Sequence, residues 1–596
     1  MAKTPRRAAK AACGLLSAQS LTYQGRIGPV GKMDMAKRAG LRRDFRTVGL
    51  VTQAETGWKR LKGEMPRQIT LWFIALAVGI AAGIAALVFR KSIAWLQHVV
   101  YGAEDVHLLH TFVGTLPWQV VLITPIIGGL VVGLLLHWFT PDGRVRSVAD
   151  VIEGAALHEG RVETRAGLAS ALASLITLGT GGSTGREGPV VHMAGLIAAW
   201  ALRWMRADPQ TGRDLLGCAV AAAVSASFNA PIAGALFALE VVLRHFAIHA
   251  FAPIVIASVA GAVINRLEFG GGAEFLLNDS SALQFYEELP AFLMLGAVCG
   301  VVAGLLMLAF FMAEDVAGHL QKRLHIPRWL RPMGAGAMLG AIAIWFPHII
   351  GVGYETTSRA LLGQITLREA VLLAATKGVA TAITYGGRMG GGVFSPSLMV
   401  GALTGLAFGI IATAVFPDMS GTPRLYALAG LGGVAAAVLG APISTTLIVF
   451  ELTGDWQTAL AVMVTVSIST AIGSRIVDRS FFLTQLERRD IHLAAGPQSY
   501  LLALFISQDV MRAPDHDNAA PEDRCWELIE QGTYLSDSST LAAALPAFER
   551  TGQPFLPVLR LTDANSPPEL LGALFHVDAL RVYNKALAAT AAEEHS

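Results

Sequence analysis

The feature that most constrains this chain is the length pattern of its apolar runs. Residues 71–89, 120–139, 292–312 and 332–345 are long and almost free of charge. Between them, 166–178, 215–226, 232–243 and 253–264 are only 12 to 13 residues each. A helix needs about 20 residues to cross a bilayer. Short helices broken by Gly and Pro are tolerated at membrane depth only when protein or a polar cavity covers their ends. Helix ends are therefore expected to meet inside the membrane, the usual setting of a transported ion. The chain is 53% hydrophobic and 15% charged, whereas soluble domains carry about 25% charged residues. A soluble fold is excluded, and an all-α polytopic membrane protein is expected.

Net charge is +2, but its distribution is uneven. Up to Arg67 there are 15 Lys and Arg against 4 Asp and Glu, a difference of +11. By the positive-inside tendency that end is cytoplasmic. Anionic lipid is a plausible partner for it, and nucleic acid is not. Residues 1–66 read as a basic, weakly structured tail without a signal-peptide core, and Met33 or Met35 is an alternative start. Cys13, Cys218, Cys299 and Cys525 form no Cys-x-x-Cys and read as free thiols without a metal site.

Within the apolar background, residues 181–191 carry an arginine and a glutamate: Gly-Gly-Ser-Thr-Gly-Arg-Glu-Gly-Pro-Val-Val. Gly185 and Gly188 let the backbone approach an ion closely. Pro189 suits the first turn of a helix, and the apolar run 190–204 continues it. The N–H groups of a helix start have no intrahelical partner and form a ready anion site. Glu187 is placed to occupy that site with its own carboxylate. In a soluble protein, helix capping and pairing with Arg186 would suffice as an explanation; at membrane depth an ionisable group is costly and points to function.

The second half echoes the first. Residues 386–400 contain Gly-Gly-Val-Phe-Ser-Pro in a glycine-rich stretch that parallels 181–191. Ala-Pro-Ile followed by Glu240 has a counterpart in Ala-Pro-Ile followed by Glu451. Pro189 and Pro396 are 207 residues apart, and Pro231 and Pro442 are 211 apart. Two related halves are expected, 67–280 and 281–490, with the ion where they meet. From about residue 500 the composition turns soluble-like. There 536–548 reads as a helix, 554–559 and 570–575 as strands, and a further helix starts at Asp578, giving a small α/β appendage over 500–590.

Residues 71–490 resemble the CLC family of chloride channels and proton–chloride exchangers. Gly185-Arg186-Glu187-Gly188-Pro189 resembles the family's gating-glutamate motif, and Gly391-Gly392-Val393-Phe394-Ser395-Pro396 its second anion-binding loop. Phe228-Asn229-Ala230-Pro231 and Ala441-Pro442-Ile443 fit paired short helices near a subunit interface. The resemblance implies inverted repeats, a homodimer with one pathway per subunit, and chloride, with other small anions, as the transported ion. It points to N–H donors at Arg186, Glu187, Gly188, Val393 and Phe394. No cofactor is implied. A bacterial inner membrane, with both termini cytoplasmic, is the expected location.

Three departures from the family pattern bear on mechanism. The family's Gly-Ser-Gly-Ile-Pro segment falls, without gaps, on Val145-Arg146-Ser147-Val148-Ala149, so Arg146 stands where the serine belongs. A one-residue slip would restore Ser147, but the ungapped register also aligns Asp150 with the usual acidic residue. Arg146 then either contacts the anion near the inner entrance or snorkels to water and sets the local potential. The family's central tyrosine falls on Phe482, which has no hydroxyl. The exchangers' internal proton-relay glutamate falls on Val241, which cannot titrate, while Glu240 beside it reads as the partner of a nearby helix end or arginine. The sequence therefore leans towards a voltage- or pH-modulated channel. A proton–chloride antiporter with another proton path is the alternative, and a non-transporting membrane sensor the remote one. Residues 510–514, 536–542, 555–558 and 571–578 resemble one degenerate CBS module, preferred as a stabilising or assembly appendage over an adenine-nucleotide site. An enzyme is not expected: His158-Glu159 lacks the second histidine of a zinc helix, and the 181–191 loop lacks the Lys-Ser/Thr of a phosphate-binding loop.

Overall fold

The computed structural model describes residues 38–103, 105–205, 209–246, 248–270, 288–417, 420–491, 493, 502, 505–516, 518–537, 539–560 and 569–594. Side chains before residue 69 are outside it, as are Cys13, Met33 and Met35. Residues 38–66 are helical, against the reading of 1–66 as weakly structured; 1–37 lie outside the described residues.

The first half contains α1 (Arg38–Tyr101), α2 (Leu109–Gly114), α3 (Trp118–Phe139), α4 (Val148–Leu157), α5 (Thr164–Gly179), α6 (Glu187–Met205), α7 (Pro209–Phe228), α8 (Pro231–Phe237) and α9 (Ile248–Phe269). The second contains α10 (Leu289–Arg323), α11 (Arg331–Trp345), α12 (Tyr354–Leu361), α13 (Leu367–Gly386), α14 (Phe394–Val415), α15 (Pro423–Leu439), α16 (Pro442–Thr453), α17 (Trp456–Ile476) and α18 (Phe481–Glu487). Among the described residues, six helical segments are long and apolar enough to span a membrane, and others, such as α8 and α16, are short. Of the expected short segments, 215–226 lies within the 20-residue α7 and 253–264 is both long and apolar enough to span, whereas the expected long run 332–345 is only the 15-residue α11. The segment 253–264 extends over Ile248–Phe269 with Pro253 inside its first turns, and Asn265 and Arg266 near its end are accommodated by burial and by a bond to Asn229.

A pair of carboxylates shows how the halves are related. Glu451, late in α16, accepts the N–H groups of Ile232 and Ala233 at the start of α8, at 3.0 and 2.8 Å. Glu240, in the π-helical turn Ala238–Leu243 that prolongs α8, accepts those of Ile443 and Ser444 at the start of α16, at 2.9 and 2.8 Å. Each helix places Pro at its first position, where the missing N–H costs nothing. Each then has its remaining free donors satisfied by the other helix's far end. That exchange is possible only if α8 and α16 lie side by side and antiparallel, so the repeats are inverted. Glu240 is thus the partner of a helix end, as its sequence position suggested.

Close packing depends on small residues, since lipid offers no hydrophobic drive between helices. Gly296, Gly300 and Gly304 form a stripe on α10 at intervals of four. A methyl group on any of them would come within about 2.8 Å of α17, at Ile468, Ser469, Ile472 or Ile476.

The C-terminal part has α19 (Ser507–Val510), α20 (Glu522–Glu530), β1 (Leu535–Ser536), α21 (Leu541–Thr551), β2 (Phe555–Arg560), β3 (Glu569–Phe575) and α22 (His576–Glu594). β1 pairs parallel with β2 and β2 antiparallel with β3. The helix expected at 536–548 starts only at Leu541, because Leu535–Ser536 pairs with Val558 and Leu559. Leu541, Ala544, Phe548, Leu556, Val558 and Leu574 make the core of this part.

Candidate anion pathway

α5 ends at Gly179 and the chain turns through Gly181, whose φ of +102° excludes most side chains, to start α6 at Glu187. α13 ends at Gly386, and Gly391, with φ +130°, directs the chain into α14. The two loops meet. Gly185 N–H donates to the Gly392 carbonyl at 2.7 Å, and Gly392 N–H returns a bond to the Gly185 carbonyl at 2.8 Å. Thr184 Oγ1 adds a bond to Gly392 O, and Gly390 N–H one to Thr177 Oγ1, each at 3.0 Å. A methyl on Gly392 would lie 2.9 Å from the Gly188 nitrogen, so only glycine allows this approach.

Glu187 is buried where the loops join. Its Oε1 accepts a bond from Ser395 Oγ, in the first turn of α14, at 2.5 Å; its Oε2 has no bonded partner among the described residues. The first-turn N–H groups of α6 and α14, which lack intrahelical partners, thus flank a carboxylate. Arg186 turns the other way. Its guanidinium bonds to Ser227 O at 3.1 Å, lies over the Tyr354 ring and comes within 3.9 Å of Glu187 Oε1.

A narrow cavity of about 30 Å³ lies beside Glu187, enough for one or two waters. It is lined by Glu187 and Gly188 of α6, Val393 and Phe394 at the start of α14, and Phe482 of α18, together with Ser147, Tyr385 and Gln485. The last three, with Gly391, also line a vestibule of about 680 Å³, so cavity and vestibule adjoin. Seven Arg and Lys side chains surround the vestibule, against three acids, Asp142, Glu314 and Asp315. On the side of Glu187 towards Arg186 is a second vestibule of about 290 Å³, with Arg90, Lys91, His110, His348 and Glu355 in its wall.

Five of the eight residues expected at the site, Glu187, Gly188, Val393, Phe394 and Phe482, line this one cavity. Arg186 lines the second vestibule. Val241 is buried in the π-helical turn after α8 and lines none of these spaces. Arg146 requires a correction. It lines neither the cavity nor the large vestibule; Ser147 lines both. The Arg146 N–H is held by Ser170 Oγ at 2.8 Å, and its guanidinium by Asp142 and Glu163, each at 2.7 Å. Asp150 accepts the Ser147 N–H at 2.7 Å and so caps the start of α4, with Ser147 as the residue just before it. Burial would raise the Asp142 carboxyl, but its bond to Arg146 and the charge of Arg144 hold it below the usual carboxylate range.

Ser147, Ser395, Tyr385 and Gln485 were not selected from sequence. Ser395 lies inside the quoted second loop, and Gln485 one helical turn after Phe482, so proximity to a motif could have suggested both. Tyr385, near the end of α13, offered no local signal.

The sequence model of the family described as "Voltage gated chloride channel" matches residues 128–474, more than half of the chain. The chain belongs to the CLC family. Among relatives of this CLC protein, a putative chloride channel protein ClcB-like of Ralstonia nicotianae is 32% identical over 394 residues, covering 65% of this chain and 90% of the relative. The voltage-gated ClC-type chloride channel ClcB of Escherichia coli is 30% identical over 423 residues, 69% of this chain and 97% of the relative. In fold, it resembles a slow cyanobacterial Cl−/H+ antiporter (TM-score 0.62, 22% identity, 70% of this chain and 97% of that one). A eukaryotic CLC transporter gives a TM-score of 0.60 at 17% identity, covering 86% of this chain and 98% of that one. This CLC protein is a multi-pass membrane protein of an anion-transporting family whose members are channels and transporters.

Proposed function

We propose that this protein is a chloride channel in which the Glu187 carboxylate competes with the permeating anion. The supporting observation is the position of that carboxylate, bonded to Ser395 and flanked by two helix starts. Positive helix ends favour an anion there, whether tethered or free. Protonation cancels the carboxylate's charge and its claim on the site, so acid raises flux. Ser147 and the N–H groups near Gly188, Val393 and Phe394 act as neutral donors, which replace water around chloride without trapping it. Uncoupled conduction fits two features: Val241 cannot carry a proton, and both oxygens of Glu240 are engaged at the start of α16.

The seven-cation vestibule is assigned to the cytoplasmic face of a bacterial inner membrane, with both termini on that side. Exposed Ile232, Val259, Val263, Ile443 and Met463 on α8, α9, α16 and α17 suit a homodimer interface, with one pathway per subunit. The C-terminal sheet, read as one CBS-like module, is assigned to assembly rather than to adenine-nucleotide binding. The cycle uses chloride and no cofactor.

The test is chloride efflux from liposomes containing purified protein, with external pH recorded. Efflux without coupled proton movement is expected. Protons driven uphill in fixed ratio to chloride would establish an antiporter instead, and no flux at all would leave only the sensor.

A further inference from the structure

We propose that Tyr385 supplies the phenolic hydroxyl donor of the inner anion site, with Gln485 fixing its orientation; the proposal rests on the anion-transport reading above. The cavity of about 30 Å³ adjoins the vestibule on one side and Glu187 on the other, so an anion travelling between them crosses it. Much of its wall is apolar, including Val148, Val191, Val224 and Phe237. An ion that has shed water there needs donors, or the desolvation goes uncompensated. Tyr385 lines both spaces. Its ring is fixed edge-on against Phe481, with centroids 5.4 Å apart. Its oxygen accepts a bond from Gln485 Nε2 at 3.1 Å. A phenol that accepts through its oxygen still has its own O–H to give. That group is neutral, so it can coordinate a halide without the grip of a fixed cation. Phe482 presents only a ring to the same cavity.

Tyr385→Phe keeps the ring and its packing and removes only the hydroxyl. Calorimetric titration of chloride into the purified full-length protein is expected to show binding about tenfold weaker, the scale of one hydrogen bond to an ion. Thermal stability should fall only slightly, through the one bond lost from Gln485. Adding Phe482→Tyr to that variant returns a hydroxyl to the same cavity and should recover most of the affinity. In crystals of the unaltered protein grown in bromide, an anomalous peak is expected within hydrogen-bond distance of Tyr385 Oη, a readout that does not depend on any variant folding. Chloride affinity unchanged by Tyr385→Phe, in a protein that still transports chloride, would overturn the proposal. So would cavity bromide out of reach of Oη. Absence of chloride transport by the unaltered protein would instead defeat the reading on which the proposal rests.

Discussion

Among the described residues, Glu187 has one hydrogen-bonded oxygen, held by Ser395 with Arg186 3.9 Å away, and one without a hydrogen-bond partner, so its attachment to Ser395 is a single bond that a competing anion can replace. Glu187→Gln removes the charge and keeps the shape. Flux through that variant should be high and independent of pH, whereas the unaltered protein should speed up as pH falls. A variant that retained the acid response would overturn the assignment. The acid range is not confounded by the loop that carries Asp142. A carboxyl held below its unfolded value contributes stability above that value and loses it only as pH falls through the lower, folded one. Arg146→Ser should leave chloride affinity unchanged but cost about 1–3 kcal/mol of stability, since the Arg146 side chain is buried and its bonds to Asp142 and Glu163 are charge-assisted. At this scale the sequence was informative wherever a motif sets the backbone, as at Glu187, Gly188, Val393 and Phe394. It misled at Arg146, because a gapless match to a motif does not sense the ion pairs with Asp142 and Glu163 that turn Arg146 aside, nor the Asp150 cap that leaves Ser147 facing the cavity.

Among elements, the reciprocal caps on α8 and α16 are open to direct test. Glu240→Ala leaves two helix-start donors unsatisfied and should destabilise the protein by about 1–2 kcal/mol. The measurement is thermal unfolding in detergent, combined with the reversal potential in liposomes. Lower stability with an unchanged reversal potential fits a cap, and a shifted reversal potential would mean that Glu240 handles protons. The short helices and their Pro starts were readable because Pro and length both act locally. The ends of α9 were not, because the burial of Asn265 and the bond between Arg266 and Asn229 that let it continue come from another helix. Whether the halves run parallel or inverted was likewise hidden, being a property of the contact between Glu451 and α8 rather than of either segment.

For the molecule as a whole, the imbalance of seven cations to three acids around the large vestibule raises the local anion concentration. Lys322→Glu combined with Arg328→Glu, both at exposed positions in that wall, should lower flux several-fold at low ionic strength and much less in molar salt, where charges are screened beyond about 3 Å. An equal loss at both salt levels would mean that these side chains act by shape. The paired hydrogen bonds between Gly185 and Gly392 reach further. Many carriers built from inverted repeats work by rocking one repeat against the other around a fixed substrate. Here the repeats are stitched together beside Glu187, and any rocking would have to tear that seam. On the channel reading proposed above, opening would then fall to side chains moving within an almost stationary frame, with the swing of the Glu187 carboxylate alone parting the two faces of the membrane.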